Sequence, residues 1–110
     1  MKYMIEWTVR TVGLTHDQNF ASVETLQTTF AKWKPEKGLT VLAFVGTLAG
    51  NSGYVLVEAS DPEVVASFVT KFGYWNDIDV VPVIDIGDVV AISAPNIAWA
   101  RAASKPVPAP

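Results

Sequence analysis

From Tyr3 to Ile84 the apolar residues recur first at every second position, then at every third or fourth, then at every second again, and the whole cycle runs twice. That rhythm constrains the fold more than any single residue, because a period of two belongs to strands and one near 3.6 to helices. In YMIEWTVR, residues 3 to 10, Tyr3, Ile5, Trp7 and Val9 fall on one face and Met4, Glu6, Thr8 and Arg10 on the other, which predicts a strand. After Gly13, Thr15 and Gln18 have capping-box spacing, and Phe20, Val23, Leu26, Phe30 and Trp33 then form a helical stripe. Lys32, Lys34, Pro35 and Gly38 end that helix.

The apolar runs LTVLAFVGTLAG and SGYVLVEAS flank the turn formers Gly50, Asn51, Ser52 and Gly53 and predict a hairpin. Asp61 before Pro62 reads as an N-cap followed by a first-turn proline, with Glu63 favourable at the positive helix end. Val65, Phe68 and Phe72 supply the stripe of this second helix, and Gly73 closes it. Tyr74 and Trp75 then pack at the helix end, Asn76 and Asp77 make a turn, and IDVVPVIDI is the last strand. Pro82 has no N–H for a ladder, which puts this strand at a sheet edge. Asp79 and Asp85 alternate outward there, as charges that discourage edge-to-edge pairing do.

The order β-α-β-β-α-β predicts a ferredoxin-like α+β domain over residues 1–87, a four-stranded antiparallel sheet with both helices on one face. The second face of the sheet is expected to carry Met4, Glu6, Thr8, Leu42, Phe44, Tyr54, Leu56 and Glu58, too apolar a set to leave in water. A domain this small is often completed by a partner chain, so the expected assembly is a homodimer closed sheet against sheet, a dimeric α/β barrel. Residues 88–104 form an extension, a helix capped by Asp88 and restarted at Pro95, or a strand turned at Gly87 and Asp88. The Ala-rich ending favours the helix, and Trp99 on it requires cover from the domain body or a partner. Residues 105–110, KPVPAP, are expected to be a flexible tail.

The formal net charge of −3, with 8 basic residues scattered against 11 acidic ones, argues against nucleic acid and anionic membrane as partners. Cysteine is absent, which removes disulfides and thiolate chemistry; the opening MKYMIEWTVR has no signal-like apolar core, and no run is long enough to span a bilayer. The expected location is the cytoplasm.

YMIEWT, VLVEASDPE and WNDIDVVPV, spread over residues 2 to 85, resemble the small bacterial proteins of the DUF3303 family in the dimeric α/β-barrel superfamily. None of the three is catalytic in form; they mark a strand start, a helix cap and an edge strand. The resemblance implies a choice among cofactor-free monooxygenases, muconolactone-type isomerases, polyketide cyclases, heme-degrading enzymes and proteins without a reaction. The heme pattern is not followed, because no histidine occurs late in the chain.

Three residues are candidates for catalysis. Glu6 and Glu58 are expected on the two central strands and on the same face, where neighbouring carboxylates divide into acid and base. His16, the one histidine, is the alternative general base in the loop before the first helix. One histidine and no cysteine leave no metal-ligand spacing, and neither metal nor cofactor is expected. The candidate ligand-binding set is aromatic: Trp7, Phe20, Phe30, Phe68 and Phe72 around a space between helices and sheet, with Tyr54 and Trp75. The expected ligand is a small hydrophobic or aromatic molecule. The protein would transform it without a cofactor, or serve as a non-catalytic carrier or accessory subunit in a biosynthetic pathway.

Overall fold

A computed structural model describes residues 1–11, 13 and 15–108. The strands are β1 (Lys2–Val9), β2 (Leu39–Gly46), β3 (Ser52–Ala59) and β4 (Asn76–Val83); the helices are α1 (His16–Lys32), α2 (Pro62–Phe72) and α3 (Ile86–Ala103). The strands form one antiparallel sheet in the order β2-β3-β1-β4, so the fold is ferredoxin-like α+β with a third helix appended. β4 is an edge strand, as Pro82 requires.

The local signals act as the sequence chemistry dictates. Thr15 and Gln18 close a reciprocal capping box at the start of α1, and the Asp61 side chain accepts from the Val64 N–H at 3.0 Å at the start of α2. Gly38 and Gly50 hold φ of 89° and 84°, a backbone region that favours glycine, at the entry to β2 and in the hairpin loop. The core lies between the sheet and α2. Tyr3, Ile5, Val55, Val57 and Ala59 from the sheet meet Val65, Phe68 and Phe72 of α2.

Four expectations are corrected. Phe44 does not share the outer face with Met4 and Leu56. The register shifts between Val41 and Ala43, so Leu42 is an extra residue in β2 and the side-chain parity inverts beyond it; Phe44 pairs with Val55 on the helix side. Gly53 lies within β3 opposite Trp7 rather than in the turn, and Asn76 is the buried first residue of β4. Asp85 lies past the end of β4, at the N-cap position of α3, where its carboxylate meets the Lys2 ammonium at 2.7 Å.

α3 is a continuous helix through Pro95, starting ahead of Asp88. None of its residues is buried, although its surface carries Ile86, Val90, Ile92, Ile97 and Trp99. It projects from the domain, which gives the chain extents of 76 × 34 × 24 Å and a radius of gyration of 20.8 Å. A compact domain of this length has a radius near 13 Å. No helix among the described residues is long and apolar enough to cross a membrane. The expected tail falls partly on residues 109–110, outside the described residues.

Candidate functional site

The two faces of the sheet differ in what they can do. On the helix side, the stripe of α1 stands off from the sheet and none of its residues is buried. Between α1, α2 and the sheet a cavity of about 190 Å³ remains. Leu26, Gln27 and Phe30 of α1 and Phe68, Val69 and Phe72 of α2 form its roof and sides. Its floor is Ile5 and Trp7 of β1, Phe44 of β2, Val55 of β3, and Ile78 and Asn76 of β4. Among the described residues, no charged one lines it.

The aromatic rings brace one another. Phe30 meets Phe44 edge-on at 5.4 Å between centroids, Phe68 meets Phe72 at 5.8 Å, and Trp33 stacks on Phe68 at 4.6 Å from behind. Trp7 crosses to Gly53 on β3, and a Cβ at Gly53 would overlap the indole. The glycine thus makes room for the ring to lie over the sheet. Asn76 donates from Nδ2 to the Phe72 carbonyl at 3.0 Å, which satisfies the end of α2 and fixes the amide.

Trp33 is held in turn by Glu36, whose Oε1 accepts from the indole Nε1 at 3.4 Å and from Lys71 Nζ at 2.5 Å. Burial pushes the Glu36 carboxyl up. The hydrogen bonds from Lys71, from its own backbone N–H and from Trp33 outweigh that effect and hold it below the ordinary 4.5.

Of the expected ligand-binding residues, Trp7, Phe30, Phe68 and Phe72 meet at this cavity. Phe20 does not; it is exposed and stacks on His16 at 6.1 Å. Trp75 packs beside the core against Tyr74, and Tyr54 faces the opposite side of the sheet. Phe44, Asn76 and Gly53 were missed. A bulge hid the first, a turn-like sequence the second, and the third carries no side chain to notice.

The expected catalytic residues are not brought to the cavity. Glu6 and Glu58 occupy the open face, and the ladder sets them four positions apart, Glu6 opposite Tyr54 and Asp79, Glu58 opposite Lys2 and Thr40. At about 3.3 Å per residue that separates them by roughly 13 Å. Lys2 is raised above 10.5, first by its hydrogen bond to Asp85 and then by that carboxylate's charge, with a smaller contribution from Glu58. His16 is exposed at the first turn of α1. Between the two acidic ends of the open face runs an apolar row, Ala43, Leu56, Met4 and Val81, one residue from each strand.

The family model DUF3303, described as a domain of unknown function, matches residues 1–97. No curated protein matches the chain.

Proposed function

The chain belongs to the DUF3303 family, and we propose that it binds a small, neutral, largely apolar molecule, aromatic or polyketide-like, in the helix–sheet cavity, and does so as a homodimer. The cavity itself supports the ligand class. Its lining is aromatic and aliphatic, it opens to solvent beside the exposed Phe30 and Phe44, and about 190 Å³ is room for a small molecule. Since no acid or base lines the cavity and Glu6, Glu58 and His16 lie elsewhere, binding without acid–base chemistry, as in a carrier or accessory subunit, fits better than a cofactor-free monooxygenase, isomerase or cyclase. We place the protein in the cytoplasm, on its freedom from cysteine.

Two unpartnered surfaces favour the homodimer, the open face with its apolar row Ala43, Leu56, Met4 and Val81, and α3. The open face, four strands wide and eight residues long, offers about 500 Å², so two copies face to face remove about 1,000 Å², the low end of a stable interface. α3 adds the remainder: its 18 residues span about 27 Å, the length of the sheet. A helix that is mostly apolar and has no separate polar face belongs in an interior, and a second copy supplies one.

The experiment is native mass spectrometry of the protein purified from its own host. The expected result is a dimer mass with a co-purifying neutral small molecule that Phe68→Ala releases. A ligand-free protein that takes up no hydrophobic probe would refute the binding function.

A further inference from the structure

The residues that line the cavity divide by depth. Ile5, Val55, Phe68 and Phe72 are buried and form its inner end, whereas Gln27, Phe30 and Phe44 are exposed and so stand at its mouth. The inner end offers a ligand no hydrogen bond. Trp7 Nε1 and Asn76 Oδ1 are enclosed in the wall and do not reach the space, and Asn76 Nδ2 already donates to the Phe72 carbonyl. A polar group pushed to that end gives up its water and gains no partner. The mouth is different. Gln27 of α1 is the one polar side chain at the opening among the described residues, and its amide both donates and accepts.

Building on the cavity-binding function proposed above, we infer that the ligand is a neutral one-ring compound that is polar at one end only, bound with its apolar end innermost and its polar group at the mouth, hydrogen-bonded to Gln27. Size limits the enclosed body to one ring. About 190 Å³ is larger than the roughly 150 Å³ that admits benzene. It is smaller than the roughly 300 Å³ at which drug-sized pockets begin. The glutamine amide answers a hydroxyl, an ether, a carbonyl or an amide alike, so the site selects where the polar group lies rather than which group it is. A molecule polar at both ends is rejected whichever way round it enters, since one end must lie against Ile5, Val55, Phe68 and Phe72. A molecule extended from its polar end is accepted, because the extension leaves through the mouth into water.

The test is calorimetric titration of the full chain with a pair of isomers. The p-tolyl ether of ethylene glycol has a methyl group at one end of the ring and both oxygens at the other; p-(hydroxypropyl)phenol has a hydroxyl at each end. The ether is expected to bind at least about tenfold more tightly than its isomer, the scale of one buried hydroxyl left without a partner. It should match p-cresol, which lacks the extension, within about threefold. Gln27→Leu alters an exposed residue and should weaken p-cresol and the ether by about three- to tenfold, the scale of one hydrogen bond, while toluene binds the variant no more weakly than the unaltered chain. Equal binding of the two isomers, or tighter binding of the phenol, overturns the one-ended ligand while the cavity-binding function stands. Unchanged p-cresol binding in Gln27→Leu, or an equal loss of p-cresol and toluene, overturns the hydrogen bond at the mouth. If toluene, p-cresol and the ether all fail to bind, the cavity-binding function and this inference fall together.

Discussion

Trp7 and Gly53 are cross-strand partners on β1 and β3, and the space that the glycine leaves is the space the indole fills. The cavity floor depends on this pair, because nothing larger than hydrogen at position 53 lets the ring lie where it does. Gly53→Val should therefore displace Trp7, destabilise the fold by about 1–3 kcal/mol as overpacking does, and shift the tryptophan emission. Gly50→Ala serves as the control for the probe: that position has open space, so its cost is the backbone strain of a positive φ without a change in the Trp7 environment.

The bulge at Leu42 makes opposite predictions for two neighbours. Leu56 lies in the apolar row of the open face and Phe44 in the cavity wall. Leu56→Asp should weaken the homodimer by about 3 kcal/mol or more, the scale of a buried unpaired charge, and leave probe binding in place. Phe44→Ala should weaken probe binding and leave the dimer mass intact. Light scattering on dilution, with a probe titration alongside, distinguishes the two.

α3 should matter only to assembly. Ile92 and Trp99 are 56% and 70% exposed in the single chain, so the paired change Ile92→Glu and Trp99→Glu is expected to leave the monomer folded. In the dimer it places two charges in an apolar contact and should shift sedimentation toward the monomer at micromolar concentration. A dimer of unchanged affinity would show that α3 is not part of the interface.

Glu36 predicts a pH dependence. Its folded carboxyl titrates below the ordinary 4.5, so the unfolded chain takes up the proton first. The stabilisation is therefore complete above about pH 5 and is lost as pH falls through the folded value. Lys71 is half exposed, and screening keeps the effect near 0.5–1 kcal/mol. Urea unfolding at pH 7 and pH 3 should show a smaller acid loss in Glu36→Gln than in the unaltered chain. Identical acid losses would remove Glu36 from the account.

The period of the apolar residues made both helices, the hairpin and the edge position of β4 legible, since each rests on local chemistry: a capping box at Thr15, an N-cap at Asp61, a proline at 82. The side of the sheet that Phe44 occupies was not legible, because one inserted residue inverts parity and LTVLAFVG carries no local mark of it. Asn76 has the composition of a turn residue, and only the burial around the end of α2 gives its amide a role. Glu6 and Glu58 were rightly placed on neighbouring strands, but register, which alternation leaves free to slide by two, separates them.

The central claim is that the ligand site lies on the helix side of the sheet. Its most direct test is nuclear magnetic resonance mapping of p-cresol on the isotopically labelled chain. The Trp7 indole N–H, the Asn76 side-chain amide and the Phe68 and Phe72 rings are expected to shift on titration, while Met4, Tyr54, Leu56 and Glu58 stay in place. Shifts confined to the open face, with the Trp7 indole N–H unmoved at saturation, would contradict it.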